Sequence, residues 1–381
     1  MAPTVIPRDK DDLEEIVCEA ANHKEPLTLS GSGSRSFLGR RIEGDNVVDL
    51  SALDELVSYE PDELILIAQP GMKLTAIENL LDKHNQHLAF EPPHWSNSAT
   101  LGGTIACGLS GPRRFKSGAV RDFVLGIEFI DGRGDRAKAG GRVVKNVTGY
   151  DLPRALTGSY GTLAILTEVC LKLWPRSSSE RTVIIQGLSI DVAAQTLSNW
   201  ARTTYEFTGL AYVPSAHGHS TVARIEGSEK AVNQQANDAI KPFTDAEILP
   251  TNESRKFWYD IRELRYITPK TNEELWRFSI PQTKMADLAA QLTPLGLVRY
   301  AVDAAGAIFW GIMPANIVPA SLHALAKKND GEAWRFGTGD DDDNAHAFTP
   351  LAPALMKANQ ALKKALDPYS ILNRGRMYPE L

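Results

Sequence analysis

The stretch LTLSGSGSRSFLG, residues 27–39, decides how the first half of the chain is interpreted. An apolar run typical of a short strand leads directly into alternating serine and glycine. Glycine permits left-handed dihedrals and serine hydroxyls add donors, so the N–H groups of such a loop can converge on a phosphate. Three interpretations arise: a nucleotide loop that opens a helix, a flavin cradle of another kind, and a flexible turn.

Spacing excludes one nucleotide-binding motif and argues against a second. The Walker A loop needs Gly-Lys followed by Ser or Thr, and no such triplet follows. A Rossmann fingerprint begins with Gly31 and Gly33, and Asp49 stands at about the distance of a ribose-binding acid. However, Gly39 comes too late to be its third glycine, and residues 34–41 lack helical periodicity. A phosphate-binding nest over residues 30–34 and a plain turn both remain open.

Length, charge and cysteine content exclude several classes of protein. A chain of 381 residues corresponds to roughly two to three domains. The formal net charge of -6 argues against nucleic acid as a partner. Cys18, Cys107 and Cys170 form no CxxC pair, which excludes a cysteine-ligated zinc or iron–sulfur centre within this chain. Free cysteines also fit a reducing cytosol.

The hydrophobic pattern predicts a cytoplasmic protein. The N-terminal stretch MAPTVIPRDKDDLEE contains no apolar h-region, so we expect no secretory signal. No stretch approaches the ~18 consecutive apolar residues of a membrane span.

Several elements can be predicted along the first half. Apolar periodicity predicts helices over residues 11–24 and 73–85. The stretch FVLGIEFIDGRGD is typical of a β-hairpin that turns at Asp131-Gly132. Residues 91–118 are rich in Pro, Gly, Ser and Ala and carry no charge between Glu91 and Arg113, so we expect them to lie against a ligand.

The pattern changes near residues 176–180, where we place a domain boundary. From there the strand-like stretches RTVIIQG, GLAYV, TVARIEG, LWRFSIP and AIFWGIM alternate with helical ones, which predicts an α+β domain. A last helix is expected in PLAPALMKANQALKKALDP. The predicted domains are residues 1–178, 179–335 and 336–381, the last returning to the first.

The order of these motifs resembles a known family. The strand and Gly/Ser loop, SATLGG, GTLAILTEV and the late LDPYSILNRGRM together resemble the vanillyl-alcohol-oxidase (PCMH-type) FAD-binding domain over about residues 25–176. SFLGR, EPPH, ACGLSGPRR, GYDL and GRMY further resemble the E subunit of bacterial glycolate oxidase, nearly end to end and least in residues 180–330. The resemblance implies an α+β fold: a PCMH-type FAD-binding domain of two α/β subdomains, plus an α+β cap with an antiparallel sheet.

The resemblance also implies an activity. It is FAD-dependent oxidation of glycolate or a similar 2-hydroxy acid, within a complex that holds a D-type flavoprotein and an iron–sulfur subunit. That complex would bring the chain to the membrane peripherally. A non-catalytic scaffold subunit and a stand-alone alcohol or sugar oxidase remain alternatives.

The resemblance assigns cofactor contacts position by position. The expected FAD-binding residues are Ser30, Gly31, Ser32, Gly33, Ser34, Ser98, Thr100, Leu101, Gly102, Gly103, Ala106, Gly108, Gly118, Ala164, Ile165, Asn373 and Arg376. Ser34 stands where many family members carry the histidine that bonds FAD covalently, so we expect non-covalent FAD.

A second departure concerns histidines. Related catalytic dehydrogenases carry a histidine-rich metal site with a Gly-Glu-His segment, which this chain lacks. His217 and His219 alone do not make a metal site, so none is predicted.

The catalytic residues are not identified by the sequence. Arg335 is a candidate for holding a substrate carboxylate, and His94 is a candidate acid or base. Arg113 and Arg114 could attract an anion, and Lys145 could touch cofactor or a partner. The acidic run 340–343 is interpreted as a solvated loop.

Overall fold

The computed structural model describes residues 4–42, 46–142, 149–216, 218–337 and 347–381. The α-helices among them are α1 (Lys10–His23), α2 (Leu74–Asp82), α3 (Leu101–Cys107), α4 (Arg114–Ser117), α5 (Leu152–Leu156), α6 (Ile190–Ala201), α7 (Glu229–Ile240), α8 (Thr251–Arg262), α9 (Met285–Leu292), α10 (Pro319–Lys328) and α11 (Pro353–Leu366). The strands are β1 (Thr4–Val5), β2 (Leu27–Ser30), β3 (Asn46–Asp49), β4 (Leu56–Glu60), β5 (Ile65–Ala68), β6 (Gln86–His87), β7 (Val124–Ile130), β8 (Arg136–Gly140), β9 (Ile165–Lys172), β10 (Trp174–Pro175), β11 (Ser179–Gln186), β12 (Phe207–Ser215), β13 (Gly218–Gly227), β14 (Ala246–Leu249), β15 (Glu273–Ser279), β16 (Arg299–Asp303), β17 (Ile308–Pro314) and β18 (Glu332–Phe336). None of these described helices is long and apolar enough to cross a membrane.

The chain divides into two compact units, each discontinuous in sequence. The first unit comprises Met1–Leu109, Ala119–Pro175 and Asp340–Leu381. The second comprises Ser110–Gly118 and Arg176–Gly339. The sequence did not indicate that residues 110–118 join the second unit.

A small parallel sheet carries the Gly/Ser loop of the first unit. Its strand order is β1-β3-β2, and all pairs are parallel. Helix α1 begins at the N-cap Asp9, whose carboxylate accepts hydrogen bonds from two backbone amides. Leu13 and Val17, one turn apart on α1, are fully buried with Val48 of the sheet. This packing fixes the end of β2, where the Gly/Ser loop starts.

The second sheet of the first unit is antiparallel, with strand order β4-β5-β9-β7-β8. The predicted hairpin is confirmed, because β7 and β8 pair from Ile130 opposite Arg136 onward. Helix α2 buries Leu74, Ile77 and Leu81 against this sheet's core, as its periodicity predicts.

The C-terminal segment returns to the parallel sheet of the first unit. Leu372 forms a parallel bridge with Leu27, and the amide of Leu27 donates to the carbonyl of Ile371. The chain after α11 therefore adds an edge beside β2, directly before the Gly/Ser loop.

The second unit is an α+β domain built on one large antiparallel sheet, as predicted. The strand order is β14-β11-β13-β12-β16-β17-β15-β18. Helices α6, α7, α9 and α10 bury their apolar sides in one core with residues such as Trp276 and Phe309. The sequence did not predict α8 or α9. Helix α8 buries only Ser254, Trp258 and Ile261, which leaves a sparse apolar pattern.

Candidate functional site

A cleft in the first unit is lined by the Gly/Ser loop and by several other segments of the chain. It contains about 1130 Å³ of space between protein atoms, part of it open to solvent. The lining residues are 28–36, Ile42, Val47, Leu50, Pro70, Thr100, Gly102, Gly103, Ala106, Cys107, Leu156, Ser159, Tyr160, Gly161, Ala164, Ile165, Leu166, Asn373 and Arg376.

The Gly/Ser loop follows β2 without opening a helix, as the missing Rossmann glycine predicts. Gly33 has φ +71°, a conformation that favours glycine. A Cβ on Gly31 would lie 2.8 Å from the hydroxyl oxygen of Thr100, so the backbone approaches that neighbour too closely for a side chain. The hydroxyl of Ser32 donates to that of Ser34 over 3.2 Å. The loop thus presents small polar groups to the cleft.

The second wall is the start of α3, a helix that the sequence did not predict. Thr100 is its N-cap and accepts a hydrogen bond from the amide of Gly103 at 3.3 Å. A Cβ on Gly102 would lie 2.6 Å from the side chain of Pro70, so only glycine allows this packing. The glycine pair therefore sets how closely α3 lies against the cleft.

The third wall is the turn before β9. Gly161 has φ +69°, and a Cβ there would lie 2.9 Å from the side-chain nitrogen of Asn373. Ser159 anchors the turn by donating to the carbonyl of Leu156 at 2.8 Å. Ile165, at the start of β9, adds an apolar surface.

Asn373 connects two walls of the cleft. Its Oδ1 accepts from the amide of Leu29 at 2.7 Å, and its Nδ2 donates to the carbonyl of Tyr160 at 2.7 Å. The side chain is buried, and both ends of its amide are used. Asn373 thereby fixes the Gly/Ser strand relative to the turn before β9.

Two arginines line the cleft, and the sequence singled out only Arg376. Arg35 is 6% exposed, and its guanidinium donates to the carbonyl of Pro93 at 2.7 Å. Burial lowers the pKa of Arg376. Burial also raises the pKa of the Cys107 thiol to about 11, so this cysteine stays neutral. Arg35 could have been found from the sequence as a cation inside the Gly/Ser run.

The residues present fit an FAD molecule. Glycines at positions 31 and 161 let the backbone approach Thr100 and Asn373, which also line the cleft, more closely than a Cβ would allow. Hydroxyls and guanidinium groups suit a pyrophosphate, while Ala106, Leu156 and Ile165 offer apolar surface to a ring.

Most residues expected to bind the cofactor line the cleft, and four do not. Those that do are Ser30, Gly31, Ser32, Gly33, Ser34, Thr100, Gly102, Gly103, Ala106, Ala164, Ile165, Asn373 and Arg376. Ser98 lies beside Ser96, with 2.8 Å between their hydroxyl oxygens, and Leu101 is fully buried in the sheet core. Gly108 ends α3 in the left-handed conformation, and Gly118 ends α4 in the second unit.

The candidate catalytic residues lie elsewhere. His94 is 7% exposed and lies 3.2 Å from the carboxylate of Glu78. Arg335 lies in the second unit, where its guanidinium pairs with the carboxylate of Glu274 through two nitrogens. Neither belongs to the residues that line the cleft.

The other arginine and metal candidates are placed as follows. Arg113 pairs with Glu226 in the second unit, and Arg114 begins α4. Lys145, His217 and the acidic run 340–343 lie outside the described residues. His219 is stacked between Tyr212 and Tyr300. Within the described ranges, no group of three or more His, Cys, Asp or Glu side chains is arranged to hold a metal.

Comparison with known proteins agrees with this site. Residues 1–140 match the family described as an FAD binding domain. Glycolate oxidase subunit GlcE of Escherichia coli (strain K12) is 36% identical over 370 residues, covering 97% of each chain. Glycolate oxidase subunit GlcD of Bacillus subtilis (strain 168) is 32% identical over 420 residues, which is 98% of this chain and 88% of that one.

The fold also matches a solved structure. A structure of an alkyldihydroxyacetonephosphate synthase superposes with a TM-score of 0.71, at 16% identity, over 97% of this chain and 75% of that one. This likeness concerns the fold alone and confirms the predicted PCMH-type architecture. Together with the cleft, the full-length similarity shows that the chain belongs to the GlcE family of FAD-dependent oxidoreductases, with FAD as its cofactor.

Proposed function

We propose that this chain is the FAD-binding subunit of a glycolate oxidase complex and takes part in oxidising glycolate to glyoxylate. The observation that carries the proposal is the 36% identity to a glycolate oxidase subunit over 97% of both chains. The cleft supports it, because the segments that converge there suit a dinucleotide cofactor.

The reaction removes two electrons and two protons from glycolate: C2 loses a hydride and the hydroxyl group loses a proton to a base. FAD supplies the two-electron acceptor when bound. The residues of this chain hold and orient that acceptor, through the loop 30–34, the start of α3 and Asn373. Ser34 occupies the position of the bonding histidine in related proteins, so the attachment is proposed to be non-covalent.

The proposal gives this chain a part in electron relay rather than in proton abstraction. Neither His94 nor Arg335 lines the cleft, so neither is assigned a catalytic step. We infer that a D-type flavoprotein partner binds the hydroxy acid, and that electrons pass on to an iron–sulfur subunit. The complex is proposed to work in the cytoplasm, with any membrane association peripheral and through its other subunits.

A variant pair tests the redox part. Gly33→Asp places a carboxylate in the cleft at φ +71°, where we expect it to repel the pyrophosphate. Gly187→Asp is the matched control, because Gly187 has φ +68° and equally open space in the second unit. In the complex assembled with both partners, Gly33→Asp should lose this subunit's flavin and slow glycolate-dependent acceptor reduction, while Gly187→Asp should do neither.

Two results would contradict the proposal. A Gly33→Asp complex that has lost this flavin and remains fully active would show that the chain is a scaffold. Turnover of glycolate or sugars with peroxide release by the isolated chain would show a stand-alone oxidase.

A further inference from the structure

The charge of the cleft differs from that of the chain. The chain carries a net charge of -6. Among the described residues that line the cleft, the charged side chains are Arg35 and Arg376, and both are cationic. We propose that these two arginines form the counter-charge for the pyrophosphate of FAD, and so make the cleft select the dinucleotide over riboflavin. The proposal rests on the FAD assignment and not on the identity of the hydroxy acid.

Arg35 is held rigidly at the end of the Gly/Ser loop. Its Nη2 donates to the carbonyl of Pro93 at 2.7 Å, and its Nη1 donates to the hydroxyl of Ser34 at 3.3 Å. The ring of Trp95 lies 6.0 Å from the guanidinium carbon. These contacts fix the guanidinium group of Arg35 before a ligand arrives, so little side-chain entropy is lost when the ligand binds.

Arg376 is anchored to the same loop from the C-terminal side. Its Nη2 donates to the carbonyl of Ser36 at 2.6 Å, and its own carbonyl accepts from the amide of Arg40 at 2.8 Å. A Cβ on Gly39 would lie 2.8 Å from that carbonyl, so a glycine lets the two segments meet. Burial disfavours the charged form of the Arg376 guanidinium and lowers its pKa. A bound anion would favour the charged form and offset this cost of burial.

The two charges act on one region of the cleft. Arg35 and Cys107 both line the cleft, as does Arg376. The two guanidinium groups bond to residues within the same short stretch, 34–36. Backbone amides and serine hydroxyls alone supply partial charges, whereas a pyrophosphate carries full negative charges. Guanidinium groups match phosphate oxygens with paired N–H donors, which makes such contacts stronger than neutral ones.

The test compares two flavins on the apoprotein. Arg35→Gln and Arg376→Gln should each weaken FAD binding by about tenfold to a hundredfold, the range for a lost charge-assisted hydrogen bond. Riboflavin, which has no phosphate, should bind each variant about as tightly as it binds the unmodified protein. Arg374→Gln is the matched control, because Arg374 is exposed two residues away and does not line the cleft. The FAD dissociation constant should rise with salt in the unmodified protein and less so in the double variant.

The same titrations can overturn the proposal. Equal weakening of FAD and riboflavin would place the arginines at the ring or ribityl chain, and unchanged FAD binding would remove them from recognition. Retained riboflavin binding shows that a variant is folded. Where a glutamine variant does not fold, Arg35→Lys and Arg376→Lys keep the charge, so they should still prefer FAD, and loss of that preference would contradict the idea.

Discussion

Lys363 is a buried cation behind the cleft, and replacing it with methionine tests how the C-terminal segment is held. Its Nζ donates to the carbonyl of Thr162 at 2.7 Å, to the carbonyl of Leu372 at 2.9 Å and to the carboxylate of Asp367 at 2.8 Å. Thr162 follows the turn that lines the cleft, and Leu372 precedes Asn373. One ammonium group therefore joins two walls of the site.

The cost of Lys363→Met follows from what it leaves behind. Asp367 is fully buried, and without the ammonium group its carboxylate loses its ionic partner and keeps the amides of Ile371 and Leu372 as donors. Removing one partner of a buried ion pair costs about 3–5 kcal/mol. At about 2–4 °C per kcal/mol for a unit of this size, the thermal midpoint should fall by roughly 6–20 °C. FAD should bind more weakly, because Asn373 loses its support.

The measurement is denaturant unfolding of the apoprotein, together with FAD titration. Lys364→Met is the matched control, since Lys364 is the exposed neighbour on the same helix. Adding Asp367→Asn to Lys363→Met removes the stranded charge and should recover part of the lost stability.

Two results would refute this reasoning. One is a Lys363→Met protein whose free energy of unfolding lies within about 0.5 kcal/mol of that of Lys364→Met, the size of an ordinary surface effect. The other is a double variant that recovers nothing, because the stranded Asp367 charge would then not be the cause.

Three further predictions concern the turn, the second unit and the cofactor. Gly161→Ala should weaken FAD binding and cost more stability than the ~1–3 kcal/mol of backbone strain alone, because its Cβ would also lie 2.9 Å from the side-chain nitrogen of Asn373. Gly187→Ala, with φ +68° and open space, should show only the backbone strain. Burial and the nearby Glu226 raise the pKa of Glu180 above its ordinary 4.5. The contribution of Glu180 to stability is therefore present below pH 4.5 and is lost as the pH rises through the raised pKa. Glu180→Gln should flatten this pH dependence of the free energy of unfolding, measured in urea. Acid precipitation should release the flavin into the supernatant, and flavin retained in the pellet would show a covalent bond.

Local chemistry made part of the fold predictable. Helix α2 and the hairpin of β7 and β8 are encoded by short patterns, an apolar stripe in one case and an Asp-Gly turn in the other. The Gly/Ser loop was predictable for the same reason, because close backbone approach requires small residues in sequence. The side chain of Arg35 was missed, since its position against Pro93 depends on a segment distant in the chain.

Other features depend on packing that no local pattern records. Residues 110–118 belong to the second unit because α4 packs on β12 and Arg113 pairs with Glu226. Gly118 was expected at the cofactor, but because of this packing it ends α4 in the second unit. Leu101 stands next to two cleft glycines, yet the helical turn at α3 directs it into the core.

The extent of the cleft bears on what the family match means. The match to an FAD binding domain ends at residue 140, whereas the cleft is also lined by seven residues between 156 and 166 and by Asn373 and Arg376. Asn373 makes the hydrogen bonds that hold the Gly/Ser strand against the turn before β9. The matched region therefore lacks one wall of the cleft, one of the two arginines that line it and the side chain that connects its walls. The matched residues alone supply the loop and the start of α3, so a complete cofactor site requires the returning C-terminal segment.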